Sequence, residues 1–211
     1  IIVISLKPDL NTGLFTHKFN PDGRIIAQVF DDYSAKIYDV LTANTIHILE
    51  HENIDFIEFS SGGEMIFTGS NHDGTVKIWD VLTGDDIHNL IGHTGTFYSA
   101  EFSPDGKMIV TSSMDGSAKL WDIISGKLIF SFDGHKYGVE LSKFSPDGKM
   151  VVTATNRFLN FWDITTGDFK FNLKKPKDGF GAESVEFSQD GSKILSTSYN
   201  KPDLVPTLIP S

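Results

Sequence analysis

No cysteine occurs among the 211 residues, which excludes disulfides, thiolate metal ligands and a thiol nucleophile. The same absence fits a reducing, intracellular setting, and a cytoplasmic one is expected. Basic residues are also in short supply: 18 Lys and Arg stand against 28 Asp and Glu, a formal charge of −10. Nucleic acids and anionic membranes are held by excess positive charge, so neither is an expected partner. Long apolar runs are missing. No stretch approaches the ~18 apolar residues needed to span a bilayer. Ile1 to Leu6 is apolar but lacks the basic start and the length of a secretory signal. The first residue is Ile, not Met, and a piece of a longer chain is expected.

The motifs of common catalytic and metal sites are missing too. There is no H-E-x-x-H, EF-hand loop, Walker loop or G-x-S-x-G elbow. Gly179-Phe180-Gly181 lacks the third glycine and following helix of a dinucleotide loop. The paired acids Asp31-Asp32 and Asp85-Asp86 sit in turn sequences and read as solvated surface. No catalytic residue, cofactor or metal is therefore expected.

What is present is a repeat. Trp79-Asp80-Val81-Leu82-Thr83-Gly84 returns at Trp121 to Gly126 and at Trp162 to Gly167, with a weaker copy at Tyr38 to Ala43. The intervals between copies are 41, 42 and 41 residues. A second marker keeps the phase. Phe102-Ser103-Pro104-Asp105-Gly106 recurs at Phe144 to Gly148, with looser copies from Phe19, Phe59 and Phe187. Proline fixes φ and glycine supplies φ > 0, so this is a turn with a mechanism. Between the markers, the third unit reads as four strands: Tyr98 to Phe102, Met108 to Ser112, Ser117 to Trp121 and Lys127 to Phe132. Four strands in ~42 residues make a sheet too small to stand alone, so it must stack on neighbours. No segment sustains a helical period with caps.

These in-phase motifs, with Gly92-His93 and Gly134-His135, resemble the WD-repeat (Trp-Asp repeat) family of β-propellers, from Leu14 to about Thr197. The resemblance implies an all-β fold of four-stranded antiparallel blades. About four to five blades are expected here, within a larger ring of the seven-bladed type. The repeats fall at approximately 14–49, 50–91, 92–133 and 134–173, with a partial one at 182–198, in a single domain spanning 1–211. Pairing of Ile1 to Leu6 with the fifth repeat would instead close a five-bladed ring. The tail Lys201 to Pro206 suits an edge or linker.

The family also implies a hydrogen-bond network inside each blade, joining His, a Ser or Thr of the second strand, a hairpin Asp and Trp. Here that means His51, Ser70, Asp73 and Trp79, then His93, Ser113, Asp115 and Trp121, and an incomplete set of His135 and Trp162 with Asn156 near the Asp position. His51, His93 and His135 recur at intervals of 42, as repeat structure does and a metal cluster does not.

In this family the inter-blade loops and the hairpins between second and third strands share a partner-binding face. Its candidates here are Asp31, Tyr33, His72, Phe97, Met114, Tyr137, Arg157 and Phe158. The basic loop Lys174, Lys175, Lys177 and Phe180 replaces Gly-His in the fifth unit, where it would suit an acidic peptide or phosphate. The implied function is a non-catalytic scaffold for proteins or peptides within a multi-subunit complex. The alternative is a substrate-recruiting module of a larger enzyme or regulatory complex. A nucleic-acid role through Lys170 to Lys177 is disfavoured by the net charge.

Overall fold

The computed structural model describes residues 14–175, 180–199 and 207–208, and among them there is no helix. The strands form four four-stranded sheets and one three-stranded sheet. Each sheet is an antiparallel meander, as turns of a few residues require. Blade one is β1 (Leu14–Phe19), β2 (Ile25–Phe30), β3 (Ala35–Asp39) and β4 (Thr45–Leu49). Blade two is β5 (Phe56–Phe59), β6 (Met65–Gly69), β7 (Val76–Asp80) and β8 (Asp86–Leu90). Blade three is β9 (Phe97–Phe102), β10 (Met108–Ser113), β11 (Ala118–Asp122) and β12 (Leu128–Phe132). Blade four is β13 (Leu141–Phe144), β14 (Met150–Ala154), β15 (Phe158–Asp163) and β16 (Phe169–Lys174). The fifth sheet is β17 (Phe180–Phe187), β18 (Lys193–Tyr199) and β19 (Thr207–Leu208). Its third strand, paired as Lys193↔Leu208 and Ile194↔Thr207, adds to the two strands expected of the partial repeat. Ile1 to Leu6 and Lys201 to Pro206 lie outside the described residues.

The chain divides into two compact units, Ile1–Gly92 with blades one and two, and His93–Ser211 with the rest. In the first, Ile37 and Leu49 of blade one pack with Ile57, Ile66 and Trp79 of blade two. In the second, Leu120 and Phe132 of blade three meet Val151 and Trp162 of blade four, and Phe161 meets Val185 and Ile194 of the fifth sheet. Ile109 and Val110 point to opposite faces of β10 and both are fully buried, so the run Met108-Ile109-Val110 does not alternate. Inner strands are tied as well: the Glu101 carboxylate accepts the Phe144 N–H at 2.7 Å and the Lys143 ammonium at 2.8 Å.

Both repeat markers are turn devices. In Phe-Ser-Pro-Asp-Gly, the Ser103 hydroxyl donates to Asp105 at 2.6 Å and accepts the Met108 N–H at 2.9 Å. Ser145 repeats the same two bonds with Asp147 and Met150, and Ser188 with Asp190 and Lys193. At the other marker, the aspartate after Trp caps the exit turn. Asp80 Oδ1 accepts the N–H groups of Leu82 and Thr83, both at 2.8 Å. Asp163 does the same for Thr165 and Thr166.

The glycine ending this marker is fixed twice. Gly84 and Gly167 both have φ of +77°, which L side chains rarely adopt. A Cβ at Gly84 would lie 2.5 Å from the ring of His47 on β4, and one at Gly167 would lie 2.6 Å from the ring of Phe130 on β12. The turn of one blade is thus the seat for the outer strand of the blade before it. Gly167→Ala is expected to cost about 1–3 kcal/mol, read as a lower denaturant midpoint; an unchanged midpoint would contradict this packing.

Candidate functional site

The polar interior of blade three is a directed chain. The Trp121 indole N–H donates to Thr111 Oγ1 at 2.9 Å. His93 Nδ1 lies 2.9 Å from the Asp115 carboxylate, which accepts, so Nδ1 carries the proton. Nε2 is then an acceptor, and the Thr111 hydroxyl donates to it at 2.8 Å. Asp115 also accepts the Thr94 N–H at 3.0 Å and the Ser117 hydroxyl at 2.7 Å.

Blade two builds the same chain with the imidazole reversed. Trp79 donates to Thr68 at 2.8 Å, and Thr68 faces His51 Nδ1 at 2.7 Å. The other nitrogen reaches Thr75 Oγ1 at 2.8 Å, and Thr75 donates to Asp73 at 2.6 Å. The expected His51–Asp73 contact is therefore relayed through Thr75. In blade four, Trp162 donates to Thr153, and Thr153 faces His135 Nε2, both at 2.8 Å. Asn156 does not take the aspartate's place: its Oδ1 is buried without a partner. His135 Nδ1–H donates instead to the Gly116 carbonyl at 3.0 Å.

Burial pushes all three imidazoles below the usual histidine range, which keeps them neutral near pH 7. Burial pulls the Asp115 carboxyl up, but the bonds from Ser117, the Thr94 N–H and His93 outweigh it and hold the group well below the usual range. Asp73 is lowered for similar reasons, with Thr75 and Ser70 outweighing burial.

Two expected network hydroxyls are corrected. Ser113 Oγ accepts the Asp115 N–H at 3.1 Å, and Ser70 Oγ accepts the His72 N–H at 3.2 Å while its hydroxyl bonds the Asp73 carboxylate, so both stand at the hairpin and not between histidine and tryptophan. The network uses Thr68, Thr111 and Thr153. Register gives the reason. Ile66, Ile109 and Val151 lie directly opposite Trp79, Trp121 and Trp162, and each threonine follows two residues later on the same face. That makes it the diagonal neighbour of the indole. Ser113 is two residues further along, about 6.6 Å beyond Thr111 and out of the indole's reach. The spacing of 43 and 42 between the threonines is visible in the sequence.

The candidate face divides by unit. In the first unit, Asp31, Tyr33 and His72 are exposed on the hairpins, and Tyr33 takes a φ of +62°. The loop before β5 reaches both hairpins: Ile54 N–H donates to the Tyr33 carbonyl and Asn71 N–H to the Asp55 carboxylate. In the second unit, Met114 is 61% exposed and Tyr137 40% exposed. Met114 N–H donates to Thr96 O and Val139 N–H to Ser113 O, both at 2.9 Å, so hairpin and loops share one end. Phe97 is corrected: it is fully buried, as the first residue of β9 paired with Ser113. Lys174 is no loop residue but ends β16, opposite Phe158. Lys175 is half-buried, and burial pushes its ammonium down to about 8, against the pull of Glu140. Lys170 sits earlier on β16 and pairs with Asp163 at 3.0 Å. Lys177 and the Phe180 side chain lie outside the described residues. Arg157 is exposed and Phe158 half-buried, and both line a cavity of about 620 Å³ beside blade four, with Tyr137.

Thr111→Val strands the Trp121 N–H and the His93 acceptor, and is expected to cost about 2–4 kcal/mol. Ser113→Ala removes one turn bond and should cost about 0.5–1.5 kcal/mol. Equilibrium unfolding of both variants checks the order; equal losses would contradict the assignment of the hydroxyl.

Known proteins share this repeat. The family described as WD domain, G-beta repeat (WD40) matches residues 43–80, 84–122 and 126–163, more than half of the chain. The guanine nucleotide-binding protein subunit beta-5b of Danio rerio is 31% identical over 100 residues, 46% of this chain and 25% of that protein. Protein tipD of Dictyostelium discoideum is 33% identical over 104 residues, 48% of this chain and 17% of that protein. The human WD repeat and SOCS box-containing protein 1 is 29% identical over 95 residues, 44% of this chain and 23% of that protein. The matched part thus spans a quarter or less of these relatives. Proteins of this kind typically act as non-catalytic platforms for protein interaction. With three tandem copies over more than half its length, the chain belongs to the WD40 repeat family.

Proposed function

We propose that this chain is a non-catalytic scaffold that binds proteins or peptides through the hairpin end of its blades. One observation carries the reading. Met114 and Tyr137 stand exposed on segments pinned by backbone hydrogen bonds to Thr96 and Ser113. Methionine and tyrosine are favoured at the cores of protein interfaces. Side chains on a rigid support lose less freedom on binding, so more of the contact energy appears as affinity. Partners within a multi-subunit complex fit this surface better than a small-molecule substrate does.

A second reading has its own support. One relative's name joins WD repeats to a SOCS box, and the matched part is 23% of that protein. A chain of this kind within a longer protein would recruit a substrate or regulator to machinery encoded elsewhere.

Affinity capture with the native protein tests the surface. Met114→Asp combined with Tyr137→Ser should lose the stoichiometric partners. Leu82→Ser, at an 86% exposed position on a Trp-Asp exit turn, should keep them. Partners that survive the double substitution, or are lost with Leu82→Ser alone, would contradict the assigned end.

A further inference from the structure

The hairpin of blade four stands apart through what it has lost. In blades two and three the hairpin delivers a carboxylate and a hydroxyl toward the histidine: Asp73 with Thr75, and Asp115 with Ser117. In blade four the turn is Thr155 to Phe158, closed by the Thr155 N–H on the Phe158 carbonyl at 2.9 Å. Asn156 and Arg157 form its tip, and no carboxylate comes from it. Beside it lies the cavity of about 620 Å³, with His135 in its wall.

The lining has a definite chemistry. Lys136 and Arg157 are exposed, and neither side chain pairs with a carboxylate among the described residues. The Lys136 ammonium lies 5.7 Å from the centre of the Tyr137 ring. The acid in the lining is Asp133, which accepts the Ser131 hydroxyl at 2.9 Å. Two cations against one carboxylate leave a local excess of positive charge on a chain of net charge −10. Asn160 and Asn172, directly opposite each other on β15 and β16, place two amides in the wall. Phe158 and Phe169 add aromatic surface.

We propose that this cavity receives a short acidic peptide segment of a partner protein, its carboxylate pairing with Lys136 and Arg157 and its apolar neighbours packing on Phe158 and Phe169. The inference rests on the scaffold reading and names the partner's chemistry. Charge complementarity selects the occupant. One net positive charge is neutralised by one carboxylate, and a neutral amide in its place would forfeit the pairing. The paired amides suit a peptide backbone, which carries a donor and an acceptor at each residue. A short segment avoids the repulsion that a broad acidic surface would meet from the rest of the chain.

The test uses the native protein and a labelled, end-blocked peptide of alternating Glu and Phe, with matched peptides carrying Gln or phosphoserine in place of Glu. Fluorescence anisotropy should show saturable binding of the Glu peptide and roughly tenfold weaker binding of the Gln peptide. Lys136→Glu with Arg157→Glu should weaken the Glu peptide by at least about tenfold without moving the unfolding midpoint. Asp133→Asn should tighten it roughly threefold. Equal binding of the Gln peptide, indifference to the double substitution, tighter binding of the phosphoserine peptide, or no saturable binding would each overturn the proposal. Failure of the peptide arms with partner capture intact removes this cavity alone; failure of both removes the scaffold reading too.

Discussion

Each tryptophan that closes a third strand carries an indole N–H into an apolar wall, where an unpaired donor costs about 1–3 kcal/mol. In blades two, three and four a threonine hydroxyl accepts it. Much follows from that bond. A hydroxyl that accepts from the indole has its own proton to give, and gives it to an imidazole nitrogen. The imidazole must then be neutral and carry its proton on the other nitrogen, which in turn needs an acceptor. The three blades supply three different ones: Thr75 backed by Asp73, Asp115 directly, and the Gly116 carbonyl. The chain so formed runs from the third strand, through the second, to the loop bearing the histidine. It is what fixes that loop against the sheet, and so what makes the hairpin end rigid enough to present side chains.

The opposite end is held by different means. There the aspartate of Trp-Asp caps a four-residue turn, and its glycine leaves room for an outer-strand side chain of the preceding blade: His47 over Gly84, Phe130 over Gly167. The family match reflects this interlock. Its first copy, 43–80, takes the outer strand of blade one together with the first three strands of blade two. A repeat staggered in this way makes each sequence unit contribute to two sheets, so no sheet is complete from one unit.

Much of the fold was legible because its markers are local. Pro104-Asp105-Gly106 and Trp121-Asp122 act within a few residues, so turn chemistry and a fixed period were enough to find them. The rest depended on register or on absence. Thr111 and Ser113 share a face of β10, and the cross-strand pairing of Ile109 with Trp121 decides between them. Phe97 follows Gly-His-Thr-Gly-Thr and reads as a loop aromatic, yet it opens β9 and points into the core. Lys174 sits where the fifth unit has lost its Gly-His, so the repeat gave no boundary, and β16 runs on through it. The cavity of blade four was hidden because its lining joins the loop before β13 to the hairpin and outer strands of the blade, and no local motif marks that meeting.

One hydroxyl sets the proton position on each blade histidine. Two-bond 1H–15N correlation of the imidazoles at neutral pH reads that position directly. Three neutral rings in fixed tautomers are expected, with the proton on Nε2 in His51 and on Nδ1 in His93 and His135. Charged imidazolium signals, averaged tautomers, or the same tautomer in His51 as in His93 would contradict it.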